Sequence, residues 1–142
     1  MPTLNSALNV SASALSAERT RIEVAVSNIA NAESTRGPNG QPYRRRDVVL
    51  ASESGNAFQD ALGAAGVSGV KVAAIVEDQA PFQRRYDPTH PDADKDGFVA
   101  MPNVDTPEEM VNMLAASRAY QANLTAIGLI RDLVQRALEL GK

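Results

Sequence analysis

Two long stretches, one toward each end of the chain, carry apolar residues at the seven-residue spacing of a coiled-coil seam. In the first stretch the apolar positions are Leu8, Ala12, Leu15, Ile22, Val26 and Ile29, and Arg19 is a charged interruption. In the second they are Met110, Met113, Tyr120, Leu124, Ile127, Val134 and Leu138, with Ser117 and Arg131 as interruptions. Because alternating steps of four and three residues place side chains on one narrow stripe, the spacing predicts two long helices that pack through these stripes. A chain that associates through its two ends is more typical of a building block than of a catalyst.

The ends of both helices are marked by local signals. The first helix is predicted from about Leu4 to about Ala32, where a segment with one proline and two glycines at 33–40 ends it. Its residues before Glu18 are mostly small and uncharged, which predicts close packing on several sides. The second helix is predicted to start with Thr106 as its cap, Pro107 at the first helical position and Glu109 completing a capping box, and to run to about Leu140.

The middle of the chain has a different character. Alternating and β-branched residues predict strands at 41–50, 69–76 and 82–86, and the Gly-, Ala- and Ser-rich segment 52–68 is expected to be a mobile loop with a short helical turn at 57–62. The predicted fold is therefore mainly α with a small β-rich insert, in which the terminal helices form a coiled-coil-like pair. The corresponding division is an assembly helix at 1–34, a central lobe at 35–105 and a second assembly helix at 106–142.

Charge and composition narrow the classes of function. The formal net charge is −3, which gives no general basis for binding nucleic acid, because that needs clustered positive charge. The basic clusters Arg44–Arg46 and Arg84–Arg85 are predicted to form a solvated or subunit-facing surface, with a phosphate site as the less favoured alternative. The chain has no cysteine, and no stretch approaches the roughly 20 apolar residues of a membrane span. We therefore expect no membrane insertion.

One acidic motif resembles a metal-binding loop. Asp92, Asp94 and Asp96, followed by Gly97, match the first positions of a helix-loop-helix calcium loop. However, its twelfth position holds Asn103 instead of a glutamate, and the flanking prolines prevent helices in register with it. Weak calcium binding is thus an alternative to a simple Asp/Gly turn between short strands.

The remaining residues suggest no active site. His90 is the single histidine and lies between Thr89 and Pro91, a typical turn context. No nucleophile elbow or phosphate-cradling glycine loop is present in the sequence. We therefore expect a protein that is not an enzyme and needs no cofactor.

Several motifs resemble a known family. The segment Ser27-Asn-Ile-Ala-Asn-Ala-Glu-Ser-Thr35 is similar to the N-terminal signature of the bacterial flagellar rod and hook axial proteins. Further similarities lie at 40–44, 86–91, 97–105, 109–113 and 116–123, and together they cover nearly the whole chain. The segment Met101-Pro-Asn-Val-Asp105 is most like the proximal-rod members. The motif residues are Ser27, Asn28, Asn31, Ala32, Met101, Pro102, Asn103, Val104, Arg118 and Asn123.

The resemblance implies a structural subunit that stacks helically around a narrow export channel, with the terminal helices inside and the lobe outside. Its implied partners are other rod proteins, copies of itself and the flagellar type III export apparatus. It also implies export from the cytoplasm without a cleaved signal peptide and a final place in the periplasmic rod of the basal body.

Isolated helices depend on packing for most of their stability, so folding of the ends is expected to be coupled to assembly. Two other functions are left open by the residues themselves. One is a calcium-dependent binding module that uses Asp92, Asp94 and Asp96. The other is a soluble coiled-coil adaptor whose helices pair within one subunit or a small dimer.

Overall fold

Along the chain, a long helix is followed by the four strands of two small sheets and then by a second long helix. The computed structural model describes residues 4–53 and 68–140. Helix α1 spans Leu4–Ala30 and helix α2 spans Thr106–Leu140. Between them lie strands β1 (Arg46–Glu53), β2 (Gly69–Glu77), β3 (Gln83–Tyr86) and β4 (Phe98–Met101). The predicted fold class, mainly α with a small β-rich insert, is confirmed, and no described helix is long and apolar enough to cross a membrane.

The start of α2 differs from the prediction. The backbone N–H of Glu108 lies 3.3 Å from the Asp105 side chain, and the Glu109 N–H donates to the Asp105 carbonyl at 3.0 Å. Asp105 is therefore the cap, and Thr106 is the first helical residue. Thr106 was the wrong choice because an aspartate one residue earlier offers a carboxylate to the free N–H groups of the first turn. Pro107 still lies where its missing N–H costs no hydrogen bond.

The three predicted strands are present as β1, β2 and β3 with shifted ends, and β4 (Phe98–Met101) was not among the predicted strands. Strands β1 and β2 pair with each other, and β3 pairs with β4. The first predicted strand begins later than expected, at Arg46, and just before it the Arg45 N–H donates to the Asn103 side chain while the Tyr43 N–H donates to the Ser34 carbonyl. It also continues through Ser52 and Glu53, so the predicted loop at 52–68 starts too early. The rest of that loop, including the helical turn predicted at 57–62, lies outside the described residues.

The described residues form two compact units, each of which takes part of both helices. We call residues 4–20, 49–53, 68–74 and 115–140 the end unit, and residues 21–48 and 75–114 the lobe unit. The sequence-based division at 34 and 106 stays a prediction, because the units group residues by contact and not by their order along the chain.

The end unit is built on close contacts between small residues. Ala17 and Ala116 are almost completely buried. The Ser13 hydroxyl donates to the Val10 carbonyl at 2.8 Å and accepts from the Val70 N–H at 3.0 Å, which ties α1 to the start of β2. A Cβ atom on Gly69 would lie 2.9 Å from the Ser13 hydroxyl oxygen. The small side chains thus allow backbones to approach, as the composition of α1 predicts.

The lobe unit has a small core on one face of the β3–β4 hairpin. The hairpin is antiparallel, with Gln83 opposite Met101 and Tyr86 opposite Phe98. Alternation along β4 points Val99 and Met101 inward, where both are buried. On the other face Tyr86 and Phe98 make an edge-to-face contact, with ring centroids 5.3 Å apart.

The residues buried on the two helices lie next to the predicted stripes. Ala25 and Asn28 on α1, and Glu109 and Ala116 on α2, are buried and each directly precedes a stripe position. One residue corresponds to a rotation of about 100° on a helix. All thirteen apolar residues of the two predicted stripes are half-buried or exposed within the chain. Their role as a seam between subunits stays a prediction.

The identity of the α2 cap can be tested by unfolding. We expect Asp105→Ala to lower the free energy of unfolding by about 1 kcal/mol, because the first turn loses its carboxylate acceptor. Thr106→Ala is the control and should have a smaller effect. Urea unfolding followed by circular dichroism measures both, and a larger loss for Thr106→Ala would contradict the assignment of the cap.

Candidate functional site

A buried asparagine near the end of α1 connects three segments of the lobe unit. Asn28 is 1% exposed. Its amide nitrogen donates to the Arg46 carbonyl and to a Glu109 carboxylate oxygen, both at 2.8 Å. Its amide oxygen accepts from the Tyr43 hydroxyl at 2.9 Å and from the Arg46 N–H at 3.0 Å. All four hydrogen-bonding capacities of the side chain are therefore used.

The partner of Asn28 on α2 is a buried carboxylate paired with an arginine. The Glu109 side chain is 3% exposed, and its other oxygen accepts from Arg45 Nε at 2.7 Å. Arg45 also lies 3.5 Å from the Glu108 carboxylate and 3.8 Å from that of Asp78. Burial disfavours the charged guanidinium, but the hydrogen bond and charge of Glu109 outweigh it and raise the pKa of Arg45 above its usual value. Arg45 therefore keeps its positive charge at neutral pH.

A second asparagine extends these contacts to the segment before β3. The Arg45 N–H donates to the Asn103 side-chain oxygen at 2.9 Å, and the Asn103 amide nitrogen donates to the Asp78 carbonyl at 3.2 Å. We call Asn28, Tyr43, Arg45, Asn103 and Glu109 the polar cluster. Within the described parts of the chain, no buried side-chain nitrogen or oxygen lacks a hydrogen-bond partner. Because its groups satisfy one another, the cluster is suited to holding segments together.

The structure brings together several of the motif residues predicted from the sequence. Asn28 and Asn103 belong to the polar cluster, and the Ser27 hydroxyl lies 3.5 Å from that of Tyr43. The lobe core contains Met101, Pro102 and Val104. Three motif residues outside the cluster are half-buried, namely Asn31, Ala32 and Asn123. The side chains of the two asparagines donate to carbonyls four residues earlier in the chain. Arg118 is exposed on α2.

Sequence reasoning missed the roles of Arg45 and Glu109. Arg45 was expected on a solvated or subunit-facing surface with Arg44 and Arg46, yet its side chain is only 17% exposed. Arg44 stacks over the Phe82 ring at 4.3 Å, and half-exposed Arg46 lies 3.7 Å from Glu77. Glu109 was assigned to a capping box because of its spacing. The two charges are far apart in sequence, so only their approach in the fold shows that they form a pair.

The acidic motif forms a turn whose carboxylates contact the protein itself. The Asp92 carboxylate pairs with Arg36 at 2.7 Å and accepts from the Thr35 hydroxyl at 2.9 Å. Asp94 pairs with Arg84 at 2.7 Å and accepts from the N–H groups of Asp96 and Phe98. In residues 4–53 and 68–140, no three His, Cys, Asp or Glu side chains are grouped as a metal site. The calcium alternative is not supported.

Glycine is required at the corner of this turn. Gly97 has a φ of 80°, and a Cβ atom there would lie 3.0 Å from the Tyr86 ring. The Phe98 N–H, the Asp96 N–H and Arg84 all favour the ionised carboxylate, and they lower the pKa of Asp94 below its usual value. Asp94 therefore stabilises the β3–β4 connection as an Asx-type turn.

Comparison with known proteins identifies the class of protein. Residues 8–38 match the family model described as flagella basal body rod protein, and residues 95–140 match that described as flagellar basal body rod FlgEFG protein C-terminal. Both matches fall on the parts of the chain that contain the two helices. The fold and its motif residues are thus those of a flagellar rod protein.

Relatives that align over nearly the whole chain identify the family within this class of rod proteins. The chain is 45% identical over 135 residues to the flagellar basal-body rod protein FlgC of Salmonella typhimurium, covering 94% of this chain and 95% of the relative. It is 47% identical over 146 residues to FlgC of Bacillus subtilis, with 95% and 96% covered. With FlgC of Borreliella burgdorferi it shares 42% identity over 147 residues, with 96% and 97% covered. The chain belongs to the FlgC family of flagellar basal-body rod proteins.

The importance of Asn28 can be measured against a second asparagine of the same motif. We expect Asn28→Ala to lower the free energy of unfolding by about 3 kcal/mol, because buried groups of Tyr43, Arg46 and Glu109 lose their partner. Asn31→Ala is the matched control, since the Asn31 amide nitrogen donates to the Ser27 carbonyl within one helical turn. It should cost less than about 1 kcal/mol. Equal losses in urea unfolding would contradict a special role for Asn28.

The Asp94 turn predicts a dependence on pH with a defined sign. Because the pKa of Asp94 is lowered in the folded protein, its contribution is present above the ordinary aspartate pKa of about 3.9 and is lost as the pH falls through the lower folded value. Asp94→Asn should therefore lower the Tm at pH 7, and its difference from the parent protein should shrink toward pH 3. Asp96→Asn is the exposed control and should change the Tm little. A calcium-induced rise in Tm that disappears in Asp94→Asn would contradict the turn assignment.

Proposed function

We propose that this chain is a structural subunit of the bacterial flagellar proximal rod, polymerising helically through its terminal helices around the export channel. The observation that carries this proposal is its similarity to FlgC relatives over 94–96% of the chain, from the first helix through the lobe to the second helix. A soluble coiled-coil adaptor is not supported, because the likeness covers the helices and the lobe together.

The apolar surface of α2 supports contacts with more than one neighbour. Leu124 is 54% exposed and Leu133 is 61% exposed. They are nine residues apart, which is about two and a half turns, so they lie on opposite sides of the helix. A helix with a single partner needs one apolar stripe, whereas this one exposes leucines on two sides. A helical assembly, in which each subunit has several neighbours, can cover both.

Assembly would supply the free energy that the helix ends lack in a single chain. Burying one large apolar side chain contributes roughly 1.5 to 3 kcal/mol before the cost of ordering is subtracted. Several such side chains on α2 are at least half exposed, including Met110, Leu124 and Leu138. Folding of the outer parts of the helices is therefore coupled to incorporation into the rod.

Membership of the family also suggests the route and the surroundings of the subunit. We propose that its partners are other rod proteins and copies of itself, and that it reaches the periplasmic part of the basal body through the flagellar type III export apparatus without signal cleavage. The exposed stripe residues are the surfaces through which these partners would bind.

Deleting the gene tests the function directly. Electron microscopy of basal bodies from the deletion strain should show membrane rings without a completed rod or hook, and the wild-type gene supplied in trans should restore both. Normal rods and hooks in the deletion strain, with no second copy of the gene in the genome, would overturn the proposal.

The stripe can be tested at a single exposed position. Leu124→Asp should abolish swimming and rod incorporation, because it places a charge where a neighbour would bury an apolar side chain. Leu124→Met is the matched control and should support swimming, since it keeps the apolar character and nearly the same volume. Both proteins should be exported in equal amounts. Swimming by the Leu124→Asp strain at the wild-type rate would exclude this position from the seam.

A further inference from the structure

The polar cluster lies in the lobe unit, at the end of α1 and the start of α2. Asn28 is two residues before the end of α1, and Glu109 is the fourth residue of α2. Their side chains are joined at 2.8 Å, and both residues are almost completely buried. A direct polar contact therefore ties the last turn of α1 to the first turn of α2.

The chemistry of this contact defines one alignment of the two helices. An amide–carboxylate hydrogen bond needs its two atoms within about 3 Å, so sliding either helix by a turn, about 5.4 Å, breaks it. The broken arrangement would leave the Glu109 carboxylate buried without its Asn28 partner, which is costly. Apolar side chains would not impose the same penalty, because they pack acceptably in several alignments. A buried polar pair can thus select a register that apolar packing leaves open.

The neighbouring helix surfaces show why such a device is needed. In the second turn of α2, Met110 and Val111 are 53% and 66% exposed, and Val26 near the end of α1 is 48% exposed. These side chains contribute little internal packing to fix one helix against the other. The described contact that joins the two helices at this point is polar and directional.

We propose that the Asn28–Glu109 contact, with Arg45 as its counterion, is a register-setting element that fixes the α1–α2 alignment in the lobe unit and so positions both helices for assembly. Asn28, Arg45 and Glu109 act here as positioning residues, since they present the stripes without contacting a neighbour themselves. The part concerning assembly rests on the proposed rod function, whereas the alignment of the helices does not.

The test separates alignment from stability with two variants of the full chain. Arg45→Met combined with Glu109→Met removes the charge pair and the bond to Asn28 while keeping similar volumes, and leaves Asn28 bonded to Arg46 and Tyr43. Replacing a buried ion pair by apolar residues is often neutral for stability. Arg45→Met alone keeps the Asn28–Glu109 bond but leaves the buried Glu109 carboxylate without its counterion, which is strongly destabilising. The double variant leaves one Asn28 N–H without an acceptor, so we expect its urea midpoint to fall somewhat below that of the parent protein but to stay above that of Arg45→Met.

The alignment itself can be measured by spin labels, because the chain has no native cysteine. Exposed Ala30 on α1 and half-exposed Leu114 on α2 are replaced by cysteine and labelled, and the distance distribution is measured by pulsed electron spin resonance. The parent and Arg45→Met proteins should each give one narrow distribution. The double variant should give a broad or multiple distribution while retaining its helical circular dichroism.

Complementation of the deletion strain provides the second readout. We expect Arg45→Met to restore swimming despite its lower stability, and the double variant to be exported but not incorporated. A single narrow distribution in a folded double variant would overturn the alignment role, even if the rod function holds. If the double variant fails to fold, the Arg45→Met variant is decisive, since it keeps the Asn28–Glu109 bond and a broadened distribution there would overturn the proposal. Incorporation that follows the urea midpoint across the variants would show that the cluster acts through stability alone.

Discussion

The Glu109 carboxylate is buried in the lobe unit, and an ionised carboxylate away from water has to be matched by donors on every side. Those donors come from separate segments, because Asn28 lies on α1 and Arg45 lies in the stretch before β1. Breaking a buried pair by removing one partner typically costs about 3 to 5 kcal/mol. The three segments are therefore stable only together. The start of β1, the end of α1 and the first turn of α2 are positioned by one set of contacts.

The two units use different physical means of stabilisation. The lobe unit combines a small apolar core around Val99 with polar side chains that satisfy one another. The end unit instead buries small residues such as Ala17 and Ala116, while large leucines on α2 remain exposed to solvent. Both units leave large apolar side chains exposed, such as Met110 in the lobe unit and Leu124 in the end unit, which suits a subunit that completes its packing against neighbours. This matches the structural role of the FlgC family.

Much of the fold could be predicted from local patterns. The apolar periodicity located both helices, and the alternating residues located β2 and β3 to within a residue or two. Strand β4 was not predicted, and the other errors lie at ends of elements, such as the cap of α2, where Asp105 and Thr106 are both good capping residues and only the hydrogen bonds distinguish them. The acidic turn was also predicted from residues close together in the chain. The contacts of Asp92 with Thr35 and Arg36, and of Asp94 with Arg84, favour a structural turn over a calcium site.

By itself, the sequence determined the helices, most of the strands, the Asp/Gly turn and the family, because these depend on the spacing and identity of residues close together in the chain. The tertiary structure decided that Arg45 is an internal counterion and that Glu109 joins α2 to α1 through Asn28. Those roles depend on pairs of residues 64 and 81 positions apart, and local periodicity contains no information about which distant charges will meet. A buried charge pair is defined by desolvation and distance, and both exist only after the chain has folded.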